Sequence, residues 1–147
     1  MRTLFLFSVG AVALAGCDFS GGSDAAVTAP FASLQATGLP AENRRAPWDA
    51  DGTAPDVFFE IQDVSGRSLD RSQPDPTGAA TATIPAGTEL PSSTMPLRIA
   101  VYDFDESLAA SSLMARSAVF TADQVATASE TQIAAESGPA QFTVVRR

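Results

Sequence analysis

The chain has 147 residues, with nine arginines and no lysine against 17 acidic side chains, no histidine, and a net charge of −8. That balance excludes a basic patch of the kind nucleic-acid binding draws on, and an acidic body is repelled by an anionic membrane surface unless a cation intervenes. Without histidine, lysine or any cysteine but Cys17, the Ser-His, Cys-His and Ser-Lys nucleophile systems and imidazole zinc ligands are absent, so no enzymatic role is expected.

Arg2 is followed by an apolar or small run from Leu4 to Ala15, the charged start and apolar middle of an export signal. The run is shorter than the roughly 20 residues that a membrane-spanning helix needs. It ends in Leu14-Ala15-Gly16-Cys17, which resembles the recognition box of bacterial lipoprotein precursors. The resemblance implies that the Cys17 thiol takes a diacylglycerol, that cleavage makes Cys17 the first mature residue, and that its acyl chains anchor the protein on a membrane. Cleavage after the Ala13-Leu14-Ala15 pattern and a buried free thiol are the other readings of the same residues.

Residues 1–16 are thus read as a signal peptide, 17–29 as the lipidated cysteine and a flexible Gly/Ser/Asp tether, and 30–147 as one domain of ordinary size. The implied location is the cell envelope, on a lipid-anchored membrane. Asp18 after Cys17 resembles the inner-membrane retention signal of enteric-type lipoproteins, which other lineages do not follow, so inner and outer membrane stay open.

Beyond the tether, short strand-like pieces alternate with Pro, Gly, Asp and Ser, the pattern of an antiparallel sandwich or barrel. Phe31 to Thr37 reads as the first strand. Val57 to Gln62 alternates, with Val57, Phe59 and Ile61 on one face and Glu60 and Gln62 on the other. Ser65-Gly66 predicts a turn into a partner at Ser68 to Arg71. Ala80 to Ile84, Leu97 to Tyr102, Leu113 to Phe120, Thr131 to Ala135 and Gln141 to Val145 complete eight strands, with Thr121 capping one helical turn through Val125. The expectation is an all-β, antiparallel, eight-stranded β-sandwich.

Two acidic clusters fall at strand edges: Asp49, Asp51 and Asp56 before the Val57 strand, and Asp103, Asp105 and Glu106 after the Leu97 strand. Calcium takes six to eight oxygen ligands from flexible loops, which clustered carboxylates supply. The start of one antiparallel strand and the end of another share a rim, so the clusters can face each other. Aspartates are also ordinary turn formers, so each cluster has a purely local explanation. A helix-loop-helix calcium loop is excluded, because Gly52 is misplaced, Pro55 intrudes and strands flank the segment.

The order of these pieces resembles a C2 domain. Leu34-Gln35-Ala36-Thr37-Gly38-Leu39-Pro40 is similar to the family's opening strand, and Asp49 to Phe58 to its first calcium loop. Val101-Tyr102-Asp103-Phe104-Asp105 is similar to its third. The resemblance implies calcium bound by Asp49, Asp56, Asp103 and Asp105, with Asp51 beside them, and a rim offered to lipid head groups or an envelope protein. Ser111 and Ser112 stand where the family has a further aspartate. Trp48, beside Asp49, is placed either to reach a membrane or partner or to cover the core. The competing functional expectation is a metal-free structural or assembly lipoprotein.

Overall fold

The structure is a computed structural model, and it describes residues 25–147. The signal segment, Cys17 and the tether up to residue 24 lie outside the described residues. The regular secondary structure of the rest is nearly all strand: β1 (Val27–Thr28), β2 (Phe31–Thr37), β3 (Val57–Asp63), β4 (Ser68–Arg71), β5 (Thr81–Thr83), β6 (Glu89–Leu90), β7 (Leu97–Asp105), β8 (Ser107–Arg116), β9 (Glu130–Ala134) and β10 (Gln141–Arg146). One short helix, α1 (Ala122–Val125), separates β8 from β9.

Two antiparallel four-stranded sheets form the sandwich, one in the order β5-β2-β10-β9 and the other β4-β3-β7-β8. The core lies between them because the period of two sends alternate side chains inward. Phe31 and Leu34 come from β2, Phe142 and Val144 from β10, Val57, Phe59 and Ile61 from β3, and Leu97, Ile99 and Val101 from β7, all buried. Each such side chain contributes about 1.5–3 kcal/mol by leaving water. The edges of the two sheets are stitched together where Ala118 N donates to Ala134 O and Glu136 N to Arg116 O, both at 2.8 Å.

The outer face of β3 and β7 is also covered. Phe58 is buried there, stacked on Tyr102 at 5.2 Å and edge-on to Phe104 at 6.3 Å. Glu60 and Gln62 occupy that face as the alternation predicts. Gln62 is nevertheless buried, because its amide nitrogen donates to Glu60 Oε2 and to the Tyr102 hydroxyl.

Among the described residues ten strands, not eight, are present. The two extra ones, β1 and β6, are two residues long and pair with each other, too short to show any period. Through β1, and through Ala29, which is buried and donates its amide to Thr88 O, residues read as the end of the tether pack into the domain. The strand expected at Leu113 to Phe120 runs instead from Ser107 to Arg116. The chain reverses over Glu106 alone, at φ 49°, with Asp105 opposite Ser107. The expected cap is present: Thr121 Oγ1 accepts from Gln124 N, and Gln124 Oε1 accepts from Thr121 N, a reciprocal capping box.

Candidate metal centre

The register of β3 against β7 sets the site. Val57, the first residue of β3, lies opposite Asp103 near the end of β7. Asp103 and Asp105 share the parity of Leu97, Ile99 and Val101, so the apolar row that fills the core ends in carboxylates at one rim of the sandwich. The long segment between β2 and β3 brings Asp49 to the same rim. A turn in which Gly52 N donates to Asp49 O at 3.0 Å folds that segment back, with Gly52 at φ 78°, a conformation glycine adopts at little cost.

Carboxylate oxygens of Asp49, Asp103 and Asp105 lie within 4.8 Å of one another. Calcium–oxygen distances of 2.3–2.6 Å make the full width of a calcium shell about 4.8 Å, so one ion fits among the three. In the same group, Asp49 Oδ2 and Asp103 Oδ2 are buried with no hydrogen-bond partner. A buried charged oxygen left unpaired costs far more than one that is hydrogen-bonded or bound to metal, and no ion pair among the described residues involves any of the three.

Asp103 is fully buried. Its carboxyl is pushed up to about 6, first by burial and then by the negative charges of Asp49 and Asp105; the amide of Asp56 acts in the opposite sense, donating to Oδ1 at 3.0 Å. Crowded, desolvated carboxylates of this kind hold either a proton or a cation. Hard oxygen donors without sulfur or imidazole suit calcium rather than a soft metal.

Of the five aspartates read from the sequence, the structure brings three together. Asp56 stands next to them and its negative charge adds to the field at Asp103. Its backbone does the bridging, the amide to Asp103 Oδ1 and the carbonyl to Phe104 N at 3.0 Å. Asp51 does not join: it is exposed and accepts the amide and hydroxyl of Thr53 at 3.0 and 2.7 Å, bonds that hold its carboxyl below the ordinary range. It is the turn former that a loop aspartate commonly is. Ser112 pairs with Asp103 within the ladder, while Ser111 caps the carbonyl of Ser107. Trp48 packs on the core and donates its indole N–H to Pro40 O at 2.8 Å, so it covers the interior.

Among the described residues no helix is long and apolar enough to cross a membrane. No protein-family model matches the chain, and no curated protein matches it at a significant level.

Proposed function

We propose that this chain is a membrane-anchored lipoprotein of the cell envelope, held by acyl chains on Cys17, whose C2-like sandwich binds calcium at its rim and presents that rim to an envelope component. Asp49, Asp103 and Asp105 are the protein's ligands in this reading, with Asp56 close enough to add charge. The single observation that carries it is that Asp49 and Asp103, whose carboxylates gather with that of Asp105, each keep a buried Oδ2 with no hydrogen-bond partner. Two four-stranded sheets with carboxylates gathered at one rim support the C2-like reading. The role is a binding one and not catalytic, since the chain lacks the usual nucleophile-and-base pairs.

Three carboxylates fall short of the six to eight oxygens calcium takes, so backbone carbonyls and water complete the shell and the affinity belongs to the millimolar class. Thermal unfolding of the mature chain in excess chelator, and then in calcium at about ten times such a Kd, tests this. A ligand specific for the folded state then adds about 1.4 kcal/mol, a rise of roughly 4–6 °C for a domain of this size. The rise is expected to vanish in the Asp103→Asn, Asp105→Asn double variant. A melting temperature indifferent to calcium would leave the metal-free structural lipoprotein.

A further inference from the structure

The partnerless atoms at the rim are both acceptors, as a cation requires, but those on the outer face of the β4-β3-β7-β8 sheet are mixed. Gln62 is 2% exposed, and its Oε1 is buried with no hydrogen-bond partner. Arg98 Nε and Arg116 Nε are buried donors, equally without partners. All three side chains share one face. Gln62 has the parity of Phe58 and Glu60 on β3, Arg98 lies opposite Gln62, and Arg116 lies opposite Ala100.

These side chains form a closed layer on the outside of the sandwich. Gln62 Nε2 donates to Glu60 Oε2 at 2.7 Å and to the Tyr102 hydroxyl at 2.9 Å, and Ala100, on the same face, is fully buried. The charge of the layer opposes that of the chain. Arg98 and Arg116 share Glu136, at 3.3 and 3.9 Å, and Arg71 meets Glu60 at 3.9 Å. Three guanidinium groups thus meet two carboxylates in a chain of net charge −8, and the uncompensated one belongs to the Arg98–Arg116 pair.

A cleft of about 530 Å³ opens beside this layer, lined in part by Arg71, Gln73, Pro74, Phe104 and Leu108. That volume is ordinary for a small-ligand site. Arg71 and Phe104 join the cleft to the layer, since Arg71 lies opposite Glu60 and Phe104 is edge-on to Phe58. Leu108 is 49% exposed.

The mixture of groups narrows the ligand. A bare anion uses donors and leaves Gln62 Oε1 unmet, whereas a cation is repelled by the guanidinium groups. A hydroxyl both donates and accepts. Sugar rings carry hydroxyls around an apolar face of C–H groups, which suits side chains such as Phe104 and Leu108. β3 and β7 are paired on both sides, so this face has no free backbone edge on which a peptide could add as a strand. Arg98 and Phe104 are six residues apart on β7, about 20 Å along a strand, a span of several sugar units.

We propose that the outer face of β3 and β7, with its adjoining cleft, binds an acidic glycan. A sugar carboxylate meets Arg98 and Arg116, hydroxyls meet Gln62 and Arg71, and ring faces pack on Phe104 and Leu108. Arg98 and Arg116 are partly exposed, so their turning toward the carboxylate uncovers the Gln62 oxygen. The rim aspartates and calcium take no part, and the inference stands apart from the function proposed above.

The test is isothermal titration of the mature chain, carrying Cys17→Ser so that no acyl chain contributes, in excess chelator. The probes are oligogalacturonate, alginate oligomers, peptide-free cell-wall glycan strands and, as the uncharged comparison, maltohexaose. At least one acidic oligomer should bind. Arg98→Gln and Leu108→Ser, at opposite ends of the face, should each weaken that binding about tenfold, the size expected for one charge-assisted hydrogen bond or one apolar contact. Both lie at the surface, and their melting temperatures should stay near that of the parent.

No binding of any acidic oligomer would overturn the proposal, as would equal binding by the parent and both variants. Equal binding of maltohexaose would overturn the assignment of an acidic ligand. Binding that inorganic polyphosphate matches and that Leu108→Ser leaves unchanged would also overturn it, in favour of attraction between bare charges. Because chelator is present throughout, none of these outcomes depends on the calcium reading.

Discussion

Asp103 accepts the backbone amide of Asp56 through Oδ1 at 3.0 Å while its Oδ2 is buried with no partner. One carboxylate therefore ties the entry of β3 to the exit of β7 with one oxygen and keeps the other buried and unpaired, in a group whose carboxylates gather with those of Asp49 and Asp105. The first oxygen explains why a charged residue is tolerated at the end of a core-facing row. The second has no hydrogen-bond partner within the described residues, which is what marks the rim as a candidate site.

A carboxyl pushed up to about 6 makes stability depend on pH in an unusual direction. Between the ordinary aspartate value near 4 and 6, the folded chain holds a proton on Asp103 that the unfolded chain has released, so stability falls as pH rises through this window. In chelator the melting temperature should therefore climb as pH drops from about 7 to about 5. It should fall again below about 4, where Asp51, Asp63 and Asp75 lose the charge that hydrogen bonds from Thr53, Ser65 and Thr77 favour. Asp103→Asn keeps an oxygen for the Asp56 amide and removes the buried charge. It should raise metal-free stability at pH 7 by about 2 kcal/mol and flatten the slope between 4 and 6, as read by denaturant unfolding at several pH values.

The geometry also separates the aspartates by role. Asp49→Asn and Asp105→Asn should each reduce or abolish the calcium-dependent rise in melting temperature. Asp51→Asn should leave it intact, because that carboxylate is turned to Thr53 in solvent. Isothermal titration of the three single variants checks the division, and equal losses in all three would mean that Asp51 swings into the site when calcium binds.

Strands marked by alternation or by turn residues were legible in the sequence: the alternating Val57 strand differs by one residue, Ser68 to Arg71 stands where the Ser65-Gly66 turn predicts, and Phe31 to Thr37 stands where it was read. The β8 strand was not, because Ser107 to Ser112 has no apolar alternation and its pairing follows from the one-residue reversal at Glu106. At the rim, Asp103 and Asp105 were readable as the end of an apolar strand, and Asp49 from the acidic cluster ahead of the Val57 strand. What sequence spacing could not supply is that Asp56 acts through its backbone, since that depends on a register fixed by pairing 47 residues apart, whereas Asp51 follows the local turn-forming reading through Thr53. Arg44-Arg45 carried no turn signal, because the two-residue turn they form is usually marked by Asn or Gly.

Ser117 offers a test of how the two sheets are joined. It is fully buried, its Oγ accepts Ile99 N at 2.9 Å and donates to Ala118 O at 2.8 Å, and it is bridged to Ala135 beside β9. Ser117→Ala strands a buried amide and a carbonyl at the seam, at a cost of about 1–3 kcal/mol. Denaturant unfolding should show that loss with an unchanged m-value, since the surface exposed on unfolding is the same.

Arg147 closes the opposite end of the chain's path through the first sheet. Its Nη2 donates to Phe31 O at 3.1 Å, Ile84 O at 3.0 Å and Pro85 O at 2.8 Å, and its amide donates to Pro30 O at 2.9 Å. One guanidinium thus fastens the start of β2 to the end of β5 with no acidic partner, using carbonyl dipoles that otherwise point at water. Hydrogen bonds to a charged group contribute about 1.5–3 kcal/mol, so Arg147→Ala should lower the melting temperature by roughly 5–9 °C. Arg147→Lys should recover only part of that, because the ammonium sits on a shorter stem than the one that carries Nη2 to the three carbonyls. The calcium-dependent shift should be the same size in both variants, since Arg147 fastens the start of β2 and the carboxylate rim lies beyond its end.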